Sequence, residues 1–298
     1  MTSAATPQKR PVIVGVDRGP GQDELVRFAA REAVLRGCPL HIAHVIELPL
    51  PGGSSSDHEE GGSAAEAGAR LVEQYERLAR EESPSLPVAG ELPMGHAAAT
   101  LTERSADATL IVLGHRGSGG SPRLPLGSVS RQVATHAECP VVVTRPSHGA
   151  EPPDDLVVAG VDLDEASLQA LDMAYLEAGL RGARLDVMHC AVHIATSSTG
   201  AITTMAPDFP VPRRGPQEFF EAEISKRRER YPDVEVDLRI GHPPPGRLLT
   251  EASRNASLLV VGSHRRTGLR RLLLGSVSGE VLHTALCPVA VVPVQDDV

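Results

Sequence analysis

The apolar positions of this chain fall into short continuous runs and longer interrupted ones, and the second half repeats the order of the first. Residues 11–17 read PVIVGVD and residues 156–162 read LVVAGVD. Unbroken apolar runs of this length mark strands of a parallel sheet covered on both faces. Each is followed by a stretch with helical spacing, DELVRFAAREAVLRG at 23–37 and ASLQALDMAYLEAGLRG at 166–182. These align without a gap: Phe28 falls on Met173, Glu32 on Glu177, and Arg36-Gly37 on Arg181-Gly182. Gly37 and Gly182 are placed to end their helices in the left-handed conformation.

The correspondence continues. LHIAHV at 40–45 and LDVMHC at 185–190 read as second strands, and each is followed by a Pro-, Gly- and Ser-rich stretch, 47–63 and 192–216. Such long stretches read as loops. Charged helices are predicted over about 64–82 and about 217–231, then alternating strands around 88–94 and 234–240 and a short helix in each half. The fourth strands are ATLIVLG and ASLLVVG, and the last are CPVVVTR and CPVAVVPV. Each half thus reads β-α-β-α-β-α-β-α-β. Strict alternation means a parallel sheet with helices on both faces, and right-handed crossovers favour a doubly wound order 3-2-1-4-5. The fold class is α/β: two tandem, Rossmann-like, five-stranded domains, over 8–147 and 153–296, joined by the Pro-rich PSHGAEPPDD.

In such a sheet, ligands sit beyond the carboxyl ends of the strands where the winding reverses, here between strands 1 and 4. Strand 1 delivers Asp17 to that point and strand 4 delivers Gly114, so the two are expected to face each other across a crevice. The following loop is Gly114-x2-Gly117-x9-Gly127-Ser128, and LGSVS recurs at Leu126–Ser130 and Leu274–Ser278. Glycine allows close backbone approach to a ligand. The helix opening at GSVS offers free N–H groups and the positive end of its dipole to an anion. Ser128 and Ser130 are placed either to donate hydroxyls or to cap the helix. The same residues also fit a plain glycine turn with an ordinary cap, and it is their duplication opposite a strand-1 aspartate that favours a site.

Composition removes several alternatives. Aromatic residues make up 2% of the 298 and Trp is absent, so base-stacking platforms are not expected, and the net charge of −9 disfavours nucleic-acid binding. Lys9 and Lys226 are the only lysines, and GxxxxGK[ST] is absent, so the glycine loop is not a Walker P-loop. Phosphate charge would be met by backbone N–H groups, arginine and Mg2+. The four cysteines form no CxxC, and Cys139 and Cys287, matched in the two halves, read as small core residues. No apolar run is long enough to span a membrane, and MTSAATPQKRP lacks the apolar core of a signal peptide, so a cytoplasmic location is expected. His44 and His189 share a position and read as packing or hydrogen-bonding groups. His41 and His44 lie on opposite faces of a strand, a poor arrangement for one metal. The run RRTGLRR at 265–271 reads equally as a phosphate contact or a solvated loop. No serine sits in a GxSxG elbow and no general base is evident, so no catalytic residue is assigned.

Gly-x2-Gly-x9-Gly-Ser after an apolar strand, with Gly-Val-Asp closing strand 1 and a final Cys-Pro-Val strand, resembles the universal stress protein family in its ATP-binding branch. The resemblance covers nearly the whole chain as two tandem domains and implies an adenine nucleotide, ATP with Mg2+, in each. In the first, Asp17 would lie beside the nucleoside or metal, and Val45 would meet adenine through its backbone. Leu113, Gly114, Arg116 and Gly117 would line ribose and phosphates, and Gly127, Ser128, Val129 and Ser130 would bind phosphate oxygens. In the second, Asp162, Cys190, Val261, Gly262, His264, Gly275, Ser276, Val277 and Ser278 hold the matching places. Arg265 stands where the motif has its second glycine. It is costly there if the position needs φ > 0 or close approach, and useful if its guanidinium reaches a phosphate. Pro122 and Pro125 stiffen the first spacer without touching its glycines.

The expected function is a stress-response regulator whose nucleotide occupancy orders the glycine loop and the long loop after strand 2, altering a partner or dimer surface. Alternatives are a slow ATPase or phosphoryl or nucleotidyl transferase, and an interaction protein with a degenerate second site. The terminal strands, 140–145 and 288–294, are candidate edges for pairing between units or between copies of the chain. Protein partners are not identified by the sequence.

Overall fold

The computed structural model describes residues 9–47, 64–118, 126–145, 155–190, 215–241, 244–263 and 274–294. The chain divides into two compact units between His148 and Gly149. The first carries β1 (Val12–Gly15), α1 (Gln22–Arg36), β2 (Leu40–Ala43), α2 (Ala64–Glu82), β3 (Val88–Glu91), α3 (Ala97–Arg104), β4 (Leu110–Gly114), α4 (Ser128–His136) and β5 (Val141–Thr144). The second carries β6 (Leu156–Val161), α5 (Glu165–Arg181), β7 (Arg184–Cys190), α6 (Pro216–Arg228), β8 (Val236–Gly241), α7 (Pro245–Ala252), β9 (Leu258–Gly262), α8 (Ser276–Thr284) and β10 (Val289–Val292). Strand order is β3-β2-β1-β4-β5 in the first unit and β8-β7-β6-β9-β10 in the second. Every pairing within a unit is parallel. This is the doubly wound order the alternating pattern predicts.

Central strands are apolar on both faces because helices cover both. In the first unit α1 packs on α2, and α3 on α4. Val12, Ile13 and Val14 of β1 and Leu110, Ile111 and Val112 of β4 are almost wholly excluded from water, as are Val157 and Val158 of β6 and Leu258–Val261 of β9. With so few aromatic residues these cores are aliphatic. Tyr175 and Phe220, both in the second unit, are the largest fully buried side chains. Cys139 and Cys287 are buried beside the last strands as small apolar residues, and burial pushes the Cys139 thiol up to about 12.

Glycines close α1 and α5 as the pattern requires. Gly37 (φ 59) and Gly182 (φ 62) are left-handed, and their N–H groups donate back to the last helical carbonyls. Several boundaries differ from the sequence reading: β2 ends at Ala43, β3 at Glu91 and α6 at Arg228, and β8 begins at Val236. The two long stretches after the second strands lie outside the described residues from 48 to 63 and from 191 to 214, as does most of the linker. Among the described residues no helix is long and apolar enough to cross a membrane.

Candidate functional site

β1 lies between β2 and β4, with Gly15 opposite Leu113, so the winding reverses between β1 and β4. The chain leaving β1 is held in place before it reaches the crevice. The Val16 N–H donates to the Ala43 carbonyl (2.9 Å), and the Val16 carbonyl accepts from Nδ1 of His44 (2.9 Å). The Asp17 N–H then donates to Oε1 of Gln22 (3.2 Å) in the first turn of α1. The second unit repeats this arrangement. His189 Nδ1 donates to the Val161 carbonyl (3.0 Å), and the Asp162 N–H donates to Oγ of Ser167 (2.7 Å).

Gln22 and Ser167 are both buried and were not singled out by the sequence reading. Their alignment at the starts of the two helices marks them as equivalent, but it does not show that they are buried or what they bond. His44 and His189 match the hydrogen-bonding role expected of them, each fixing the carbonyl at the end of the first strand. His41 turns to the opposite face, where its Nδ1 lies 2.7 Å from Oε1 of Glu91.

Asp17 reaches across the crevice, as its place at the end of strand 1 predicts. Oδ1 accepts the N–H of Gly19 (2.7 Å) and Oδ2 accepts the N–H of Ser118 (2.6 Å), in the glycine loop. The base of that loop is closed by two further bonds. The Gly127 N–H donates to the His115 carbonyl (2.7 Å), and the Ser130 hydroxyl donates to the Gly114 carbonyl (2.6 Å). The same closure recurs in the second unit, from Gly275 to Ser263 (3.3 Å) and from the Ser278 hydroxyl to Gly262 (2.5 Å).

Ser130 and Ser278 use their hydroxyls within the fold. Each is buried, and its single hydroxyl proton goes to a strand-end carbonyl. What remains for a ligand is the backbone N–H. Nor do the serines cap: the N-cap residues are Gly127 and Gly275, with no side-chain cap bond. The first three helical N–H groups, of Ser128, Val129 and Ser130, have no intrahelical acceptor. Ser128 and Ser276 are exposed at that end.

The glycines act through close approach. A Cβ on Gly117 would overlap Oδ2 of Asp17, and one on Gly127 would lie 3.3 Å from the His115 carbonyl oxygen and 3.8 Å from the Gly117 nitrogen. Gly117 and Gly127 are not among the glycines with positive φ, so the explanation by left-handed backbone does not apply to them. Leu113 and Val261 point into the core, packing against the positions of Gly15 and Gly160, and face the crevice only through backbone. Arg116 is exposed beside Gly117. Val45 is half-buried just beyond β2, and neither its N–H nor its carbonyl has a backbone partner among the described residues.

The second unit differs at its aspartate. Asp162 Oδ1 accepts the N–H of its neighbour Leu163 (2.8 Å), and the side chain is 62% exposed. Burial, then Asp162, raises the Cys190 thiol. Gly262 is pressed by α5: a Cβ there would stand 2.8 Å from the Ala166 carbonyl oxygen. His264 and Arg265 lie outside the described residues, as do Pro122, Pro125 and the arginines at 266, 270 and 271. In the first unit burial, then Asp23 and Asp17, raises the Tyr75 hydroxyl.

Strand order and the parallel pairings define a doubly wound α/β protein whose winding reverses between β1 and β4 in the first unit and between β6 and β9 in the second. The chain belongs to the universal stress protein family, whose sequence model matches residues 9–145 and again 155–293. A universal stress protein of Mycolicibacterium smegmatis is 33% identical over 287 residues, covering 94% of this chain and 96% of the relative. The crystal structure of a universal stress protein from Archaeoglobus fulgidus has the same fold, with a TM-score of 0.72 over 98% of both chains at 18% identity. A universal stress protein from Archaeoglobus fulgidus solved in complex with dAMP matches 45% of this chain and 95% of its own at 26% identity, with a TM-score of 0.34.

Proposed function

We propose that this chain is an ATP-binding regulatory protein of the stress response, in which nucleotide occupancy tunes conformation or partner binding. The observation that carries the reading is the group of backbone amides at Ser128, Val129 and Ser130, free of helical acceptors and set behind Gly127, with Asp17 bonded to the Ser118 amide at the other side of the cleft. Helix N-termini of this kind bind phosphate through N–H groups and dipole.

The adenine end has a matching offer. Adenine presents one donor and one acceptor on its outer edge, and Val45 presents one carbonyl and one N–H with no backbone partner among the described residues. Asp17 and Asp23 oppose a polyphosphate, so the phosphates belong on the α4 side, and Mg2+ arriving with ATP would offset the repulsion. Both Asp17 oxygens already accept an N–H. Most of the metal's ligands would therefore be phosphate oxygens and water, as is usual for Mg2+. The reading includes a cytosolic location, which suits four cysteines none of which is in a disulfide.

The test is made on freshly purified full-length chain. It is heat-denatured and the released small molecules are identified and quantified by mass spectrometry, with titration of added MgATP alongside. The expected result is ATP bound in the wild type and lost with Gly127→Ala, whose new methyl would press on the His115 carbonyl oxygen at 3.3 Å. Failure to release or to bind any nucleotide would overturn the reading.

A further inference from the structure

A carboxylate at the mouth of an anion site opposes its ligand, so Asp17 needs a reason to be there. Its two oxygens are each occupied by a backbone amide, Gly19 at 2.7 Å and Ser118 at 2.6 Å, and the second bond ties residues 101 positions apart. Both neighbouring glycines are shaped to this carboxylate. A Cβ on Gly19 would lie 2.9 Å from Oδ1, and one on Gly117 would overlap Oδ2. Chain neighbours aside, the Asp17 carboxyl group is all that a Cβ on Gly117 would meet within 4 Å among the described residues.

We infer that Asp17 is a positioning residue: it pins Gly117–Ser118 to the end of β1, and this pin prepares the first unit, and not the second, for tight nucleotide binding. The inference rests on the function proposed above. Pinning holds the Gly117 nitrogen beside Gly127, so that loop and helix amides face one point without a ligand having to order them. In the second unit the equivalent carboxylate is 62% exposed and satisfied by the adjacent Leu163 amide (2.8 Å). The residue at the sequence position of Gly117 is Arg265. At Gly117 itself a Cβ would collide with the Asp17 carboxylate, and the second unit has no glycine at that place in its sequence.

The experiment is a double-mutant cycle on the full chain, read by calorimetric titration with MgATP. Wild type should show one tight site per chain. Gly117→Ala should weaken it by about tenfold or more, whereas in an Asp17→Ala background the same change should alter affinity by less than about twofold, because its sole obstacle is gone. A glycine needed for its own backbone would cost the same in both backgrounds, and that outcome, like two equal sites in the wild type, would overturn the inference. A second measurement needs no nucleotide. Hydrogen exchange at the Ser118 amide should accelerate about tenfold or more in Asp17→Asn, which keeps one carbonyl acceptor for Gly19 but replaces the other oxygen with a donor. Unchanged exchange there would refute the pin. A chain that binds no MgATP would remove the proposed function and leave the exchange result to judge the pin alone.

Discussion

Ser130 shows how one atom can serve two levels of structure. Its hydroxyl leaves the ligand side and ties the first turn of α4 to the carbonyl at the end of β4, and Ser278 does the same in the second repeat. The bond is buried, so its loss leaves a strand-end acceptor without that donor. Ser130→Ala is expected to cost about 1–2 kcal/mol of stability. The measurement is the denaturant midpoint, with the far-ultraviolet spectrum of the folded state unchanged. At this scale the sequence was half legible. The matched pairs Asp17 and Asp162, and His44 and His189, could be read from position alone. The roles of Gln22 and Ser167 could not, because a polar residue in a first helical turn looks like an ordinary surface position until its burial is known. The reason for Gly117 was also hidden, since sequence does not distinguish a glycine needed for its backbone angles from one needed for an absent methyl.

Elements in this fold are held to each other by apolar stripes and a few charged clamps. α2 buries Gly68, Val72, Tyr75 and Ala79, one helical face, and its last turn is fastened to α1 by Glu82. That carboxylate accepts from Arg27 (2.8 Å) and Arg31 (3.0 Å), and the Arg27 bond is the first cause holding its pKa below the ordinary glutamate range. A carboxylate whose folded pKa is lowered binds fewer protons folded than unfolded. Its stabilisation is therefore complete above the unfolded value and drains away as pH falls toward the lowered one. Glu82→Gln should make melting temperature less steep in pH between about pH 5 and about pH 3 than in wild type. Equal slopes for the two proteins would show that the clamp contributes nothing. Elements were the most legible scale, because continuous apolar runs and helical spacing carry their own length. The exceptions were ends such as Arg228 and Val236, where side chains on neighbouring elements decide how far the pattern is used.

For the whole molecule, two units with one plan differ in the partners of their first-strand aspartates, Asp17 and Asp162. Saturation by a ligand that binds only the folded state raises stability by mass action, about 2.7 kcal/mol at a hundred times the dissociation constant. MgATP is thus expected to raise the melting temperature of the wild-type chain, and to leave that of Gly127→Ala unmoved, in a scan at fixed protein concentration. A shift retained in Gly127→Ala would locate the binding elsewhere. The sequence by itself determined the repeat, the alternation of strands and helices, the parallel sheets and the place where the winding reverses, because each follows from local periodicity and from the handedness of crossovers. It also placed Asp17 opposite the glycine loop, since strand order fixes which strand ends are neighbours. Only the tertiary structure decided which hydrogen bonds those groups make. The Ser130 hydroxyl closed on Gly114, Asp17 closed on Ser118, and Asp162 took the adjacent Leu163 amide. Such choices depend on separations of a few tenths of an ångström between segments far apart in the chain, and periodicity does not carry that information.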